Sequence, residues 1–358
     1  MSNSIGKIFS LTSFGESHGL AVGGIVDGCP SGIFLDLDFI NAEIARRKPC
    51  VTSGGTSRQE PDEVQFLSGI FDGKTTGTPI AFVIENKEYQ SADYEKIKGL
   101  FRPGHADYTY YNKYSNVDYR GGGRSSGRET VVRVVAGAIA KLVLRQRDIR
   151  LTSYLSQIGS VVDKQSYSFQ QIQDCGNYPK NPNDEISFRM NQEILSVAKS
   201  GDSIGGVVTC LIHGVPVGLG EPIYDKLQAR LAYAMFSIPA VKGFDYGMGF
   251  QSASLRGSEN NDAYASENGR VYTLSNHCGG ILGGISNGDT IYFRTAFKPT
   301  PTIAMPQQTV SIDGKNVEVA FKGRHDTCVA VRAGVVVEAM AAITLVDSLL
   351  LQQTNRLL

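Results

Sequence analysis

The chain has 358 residues, long for one core but enough for a single elaborate domain. Basic and acidic side chains number 35 each, so the net charge is zero and a protein held to nucleic acid by bulk electrostatics is excluded. Six cysteines stand singly with no Cys-x-x-Cys pair, which excludes a zinc ribbon and a disulfide framework and suits reduced thiols in a cytoplasmic protein.

In chain order, Ser4 to Phe14 is too polar for a signal peptide. Ala21 to Val26 reads as a buried strand. Asp36 to Arg47 predicts a helix, with Asp36 at the N-cap and Phe39, Ile40 and Ile44 at helical spacing. Arg128 to Arg147 predicts a long helix whose Val132, Val135, Ala136, Ile139, Leu142 and Val143 form a broad apolar face. Asp174 to Asp184, with its prolines and clustered Asn and Asp, predicts an exposed loop. Gly206 to Ile212 reads as a second buried strand, and Glu221 to Phe236 as a helix. Arg332 to Gln353 predicts another long helix, in which Ala333, Gly334, Ala339, Ala341 and Ala342 allow close packing. Glu338 and Asp347 interrupt that apolar run, so no membrane span is expected. Long central helices between antiparallel sheets make an α+β fold, a β-α-β sandwich. No strand leads into Gly-x-Gly-x-x-Gly and a helix, so a Rossmann site is not indicated.

Several segments recur in order. Gly15-Glu16-Ser17-His18-Gly19 and the following Cys29-Pro30-Ser31-Gly32 return, without a gap, as Gly201-Asp202-Ser203-Ile204-Gly205 and Val215-Pro216-Val217-Gly218. Phe101-Arg102-Pro103 faces Phe297-Lys298-Pro299, and Gly123-Arg124 faces Gly323-Arg324. This predicts one domain over 1–358 with an internal pseudo-two-fold duplication, its halves spanning about 1–180 and 185–358. The second copy has Ile204 where the first has His18, and Pro301 where the first has His105. The skeleton therefore needs neither histidine, which points both toward a ligand.

Chemistry concentrates in glycine-rich, charged stretches. Gly121 to Thr130 runs into a helix start, where backbone N–H groups, the Ser125 and Ser126 hydroxyls and Arg124 can cradle a phosphate. The same residues also fit an ordinary capped turn. The glycines of Asn276 to Asp289 let main chain lie flat against a planar ring, although tight turns alone also explain them. Lys298-Pro299-Thr300-Pro301-Thr302 is a stiff, hydroxyl-bearing segment, equally readable as a sheet-edge strand. His213 lies in an apolar run and reads as structural. His18, His105, His277 and His325 sit beside Gly, acid or Arg, without metal-ligand spacing, and suit acid–base work on an anion.

Together Phe14 to Gly19, Phe101 to Tyr114, Asp118 to Thr130, Asn276 to Ser286 and Lys322 to Asp326 resemble the chorismate synthase family, over nearly the whole chain. The resemblance implies a carbon–oxygen lyase at the last step of the shikimate pathway, serving aromatic amino acid biosynthesis. In it, 5-enolpyruvylshikimate 3-phosphate loses phosphate and a C6 proton by anti-1,4 elimination to give chorismate. Reduced FMN is required without net redox change, NADPH entering only as a reductant. By the same matching His105 is the acid at the leaving phosphate, His18 keeps the flavin suitably protonated and Asp326 helps relay the proton. FMN falls to Arg124, Ser125, Ser126, Pro239, Ala240, Gly283, Lys298, Pro299, Thr300, Pro301, Thr302 and Arg324. The substrate falls to Ser17, Arg47, Arg58 and Arg128, and no metal is implied. The family resemblance further implies a cytoplasmic homotetramer with no nucleic-acid or membrane partner. Where relatives commonly carry Gly and, three residues later, Arg, this chain has Cys50 and Ser53 at the rim of the implied substrate pocket.

Overall fold

Alternation of apolar and polar residues builds both sheets of the computed structural model, which describes residues 3–49, 61–87, 98–320 and 326–355. In the first sheet, β1 (Ser4–Ile5), β2 (Ser10–Gly15), β3 (Ala21–Asp27), β4 (Val64–Phe66) and β5 (Ile80–Glu85) lie in the order β1-β2-β3-β5-β4, every pair antiparallel. Ile80, Phe82 and Ile84 of β5 point inward and are fully buried, as period-two patterning requires. The second sheet contains β6 (Arg150–Ile158), β7 (Val161–Val162), β8 (Gly206–His213), β9 (Val241–Tyr246) and β10 (Ile291–Phe297) in the order β9-β10-β8-β6-β7, again antiparallel.

The layer between is helical. α1 (Leu37–Arg47) starts where Asp36 accepts a hydrogen bond from the Phe39 N–H at 2.9 Å. α2 (Asp107–Tyr114) is short and carries no buried residue. α3 (Thr130–Arg145) is buried almost all round. α4 (Phe169–Gln173) and α5 (Asp184–Lys199) lie between β7 and β8. α6 (Leu227–Phe236) begins six residues later than its sequence pattern suggests, because the Leu227 N–H is taken by the Gly284 carbonyl at 2.8 Å. α7 (Gly334–Gln352) follows a 3-10 turn over Val329–Arg332.

α3 and α7 cross at Gly137, where an added Cβ would stand 2.2 Å from the Ala339 Cβ. Only glycine permits that approach. α3 lies against β3 through Val132 at Gly24, and α7 lies on β6 and β8. α7 is long and apolar enough to cross a membrane, yet it is the buried centre of this sandwich, with Glu338 and Asp347 both paired inside it. Asp347 accepts the backbone N–H groups of Lys7, Ile8 and Phe9 at 3.0, 2.7 and 3.1 Å and pairs with Arg230. This fastens the first sheet to α6 and α7.

The segment Asp174 to Asp184 is a loop, but not wholly an exposed one. Asn181 is fully buried and donates to the Leu155 carbonyl at 2.8 Å and to Asp163 at 2.7 Å. The polar stretch near Asn260 to Val271 contains a hairpin, Tyr264–Glu267 paired with Arg270–Thr273.

Candidate active site

The turn after β2 carries Ser17 and His18, both buried although polar. Gly121 closes over them at φ +88°, and a Cβ there would stand 2.5 Å from the His18 ring and 2.8 Å from Ser17 Oγ. Behind this turn the two hydrogens of the Asn86 amide reach the carbonyls of Glu16 and Gly19 at 3.0 and 2.8 Å. Its oxygen accepts from Arg128 Nε at 2.9 Å. Asp118, close by, is held below the usual carboxylate range chiefly by Arg120, with His18 a lesser cause.

Arg128 and Arg47 share Asp62. Arg47 reaches one carboxylate oxygen at 2.7 Å, and Arg128 takes the other. Burial alone would raise the Asp62 pKa, but the two guanidiniums hold it below the ordinary value. Arg47 is pulled down to about 10 by burial and by the neighbouring Arg332 and Arg128 cations, against Asp62. Arg332 in turn grips Asp326 through Nε at 3.0 Å and its terminal nitrogen at 2.5 Å. In this corner, three guanidiniums face two carboxylates among the described residues.

The second histidine occupies the other side. Arg102 forks onto Asp107 with two contacts of 2.7 Å and reaches the Gly121 carbonyl at 3.3 Å, which joins this side to the first. His105 Nδ1 lies 2.9 Å from the Pro103 carbonyl. A carbonyl only accepts, so Nδ1 carries the hydrogen and Nε2 accepts from the Thr302 hydroxyl at 2.8 Å. Burial, then the Arg102 and Lys298 cations, lower this imidazole to about 4. His105 is therefore neutral at pH 7 in this structure. Lys298 donates to the Gly104 carbonyl at 2.7 Å and has no carboxylate partner among the described residues. The Thr300 carbonyl accepts from Ser203 Oγ at 2.6 Å, and the Ile204 N–H donates to the Thr327 carbonyl at 2.8 Å beside Asp326.

These residues form a ring, joined by hydrogen bonds and close approaches, through chain neighbours at Thr302–Ser203, Ser203–Asp326 and Asn86–His18, and by charge alone at Arg332–Arg47: His18, Gly121, Arg102, His105, Thr302, Ser203, Asp326, Arg332, Arg47, Asp62, Arg128 and Asn86. On it or directly beside its members in the chain, Ser17 Oγ, Arg47 Nε and Thr300 Oγ1 are buried without a hydrogen-bond partner among the described residues. Unpaired buried donors at a cationic site are what an anion would satisfy.

Arg124 does not offer its fork outward. It donates to the carbonyls of Gly15 and Ser13 at 3.2 and 3.0 Å and to Ser13 Oγ at 2.7 Å. Ser125 donates to Gly122 and Ser126 accepts from the Arg128 N–H, so this stretch is first of all a capped turn. Glu129 does not complete a capping box and instead takes Ser13 and Arg133. Ala240, at φ +72°, accepts from the Lys298 N–H at 2.9 Å, and this brings Pro239 and Ala240 to the rim. Gly283 faces open space in a hairpin that packs on Gly220 and Glu221. His277 lies away from the ring and is tied to the Asn260 carbonyl, and His213 is exposed at the end of β8. Arg58, Arg324, His325, Cys50 and Ser53 lie outside the described residues.

Asn86, Asp62 and Arg332 carry the ring, yet the sequence does not mark them. Asn86 follows a strand like any turn residue, and Arg332 reads as a helix start. Their only signal is a polar residue beside a strongly patterned element.

The chorismate synthase family model matches residues 9–350. The chorismate synthase of Phocaeicola vulgatus is 56% identical over 100% of both chains, and that of Parabacteroides distasonis is 53% identical over 99% of both. A crystal structure of chorismate synthase superposes with a TM-score of 0.74 at 30% identity, covering 97% of this chain and 93% of the other. On its sequence, its fold and its extent, the chain belongs to the chorismate synthase family.

Proposed function

We propose that the ring is where 5-enolpyruvylshikimate 3-phosphate becomes chorismate. The C3–O bond to phosphate breaks with its electron pair, C6 gives up a proton, and the ring gains a conjugated diene. The observation that carries this reading is the cationic surplus beside three buried, unpaired donors. Arg47 and Arg128 are positioned to hold carboxylate or phosphate oxygens, with Asp62 fixing both forks so that little reorganisation accompanies binding. Ser17, and with it Arg58, complete the substrate set in this reading.

His105 must gain a proton before it can give one to the departing phosphate. Burial is the main cause of the neutral imidazole, and a phosphate dianion beside Arg102 and Lys298 would offset the share of the cations, so protonation accompanies substrate binding. Asp326, gripped at one carboxylate oxygen by Nε and a terminal nitrogen of Arg332, is the group that helps relay the proton in this reading.

The family is flavin-dependent. The residues fit such a group: Thr300 has a buried unpaired hydroxyl, Lys298 lacks an acid partner among the described residues, and Gly283 leaves open space above main chain. When bound, reduced FMN supplies electron density to the allylic system as phosphate leaves. In this reading Arg124, Ser125, Ser126, Pro239, Ala240, Gly283, the Lys298–Thr302 segment and Arg324 hold it, Arg124 acting through the turn it fixes. His18 sets the protonation of that flavin.

The same reading takes the enzyme as a cytoplasmic homotetramer and the chain as one domain of two duplicated halves. Strand order supports the duplication: β2-β3-β5-β4 with α1 and α3 repeats as β6-β8-β10-β9 with α6 and α7. In this reading the halves span about 1–180 and 185–358. An anaerobic assay with the enolpyruvyl substrate and FMN tests the function. Chorismate forms with dithionite and not without; no product under reduction would end the reading.

A further inference from the structure

We propose that Asn86 is a positioning residue that couples the His18 turn to Arg128. This rests on the role given to His18 above. Asn86 lies one residue past β5 and is buried. Its two amide hydrogens go to Glu16 and Gly19, the residues on either side of Ser17-His18. Its oxygen takes Arg128 Nε, and its own backbone N–H donates to the Leu20 carbonyl at 3.0 Å.

The orientation of this amide is fixed by chemistry. Turned over, its oxygen would face two carbonyl oxygens and its NH2 would face a guanidinium. Both donors and the acceptor are committed to protein, so Asn86 does not itself touch substrate. It holds the histidine turn at both ends while Gly121 blocks the opposite side. Within the turn, the Gly19 N–H to Glu16 carbonyl bond at 3.1 Å is the remaining backbone tie. One amide thus sets the distance between the acid–base histidine and an anion-binding guanidinium.

The test is Asn86→Asp, which keeps size and the acceptor for Arg128 but removes both donors and sets an oxygen against two carbonyls. In the FMN-free protein, hydrogen exchange in peptides covering Glu16–Gly19 should accelerate while α3 peptides stay unchanged. With reduced FMN, kcat should fall about a hundredfold, the cost of a misplaced group, with KM within about threefold. In a His18→Ala background the same substitution should cost little more, since the group it positions is gone. Unchanged exchange at Glu16–Gly19 overturns the proposal, as does a full multiplicative penalty in the double variant. Wild-type kcat for His18→Ala alone would instead remove the role of His18, and leave the exchange result to decide the clamp. Should Asn86→Asp not fold, Asn86→Ser, with one donor fewer, takes its place in the exchange measurement: faster exchange at Glu16–Gly19 supports the clamp, and unchanged exchange overturns it.

Discussion

At His105 the structure sharpens what a histidine beside glycine and arginine means. Burial first, and then the neighbouring Arg102 that marks the residue in sequence, suppress its charge. Because its pKa sits near 4, substrate binding at pH 7 should take up about one proton if the ring becomes the acid. Calorimetry in buffers of different ionisation enthalpy reads this directly: the binding heat should vary with the buffer, and not in His105→Ala. That variant should lose about a hundredfold to ten-thousandfold in kcat, the usual contribution of a positioned acid, while FMN affinity stays nearly constant. His105→Gln, which donates but does not protonate, should recover only part of the rate. The two histidines were legible because each departs from its repeat partner, Ile204 or Pro301. Asn86 and Asp62 were not, since their significance exists only once β5 and the Arg47 helix end meet α3.

Among the elements, the long helices were legible from apolar periodicity and the strands from alternation, but their joints were not. The joint of α1, α3, α7 and β6 is a buried ion network. Glu338 accepts from Arg46 at 2.6 and 2.7 Å, from Lys141 at 2.6 Å and from Ser153 at 2.6 Å, and Lys141 also pairs with Glu43. Burial opposes ionisation of Glu338, yet Arg46 and Lys141 hold it far below its ordinary value of 4.5. A depressed carboxylate stabilises fully above its unfolded pKa and loses that stabilisation as pH falls toward the folded one. Urea unfolding of the wild type should therefore show stability falling below about pH 4.5, and Glu338→Gln should flatten that part of the curve. Above it, Glu338→Ala should cost about 3 kcal/mol, because the buried Lys141 and the more exposed Arg46 each lose one of their two carboxylates. An unchanged unfolding midpoint for Glu338→Ala would show that the network stabilises nothing.

For the whole molecule, the sandwich could be read from the chain, because its long apolar helices and alternating strands are strongly patterned. The proline-bearing loop between α4 and α5 is anchored by Asn181, a contact that no periodicity announces. The ring of contacts draws His18, Arg47 and Arg128 from the first half and Thr302, Asp326 and Arg332 from the second. Such a seam makes catalysis a late event in the life of each molecule. During refolding, helical signal should return as α3 and α7 form, and turnover should lag until the two halves dock at Gly137 and Ala339. Gly137→Val, which forces that crossing apart, should lengthen the lag more than it slows the return of secondary structure. Stopped-flow circular dichroism set beside timed activity sampling would separate the two clocks, and coincident recovery would show that docking is not a separate late step.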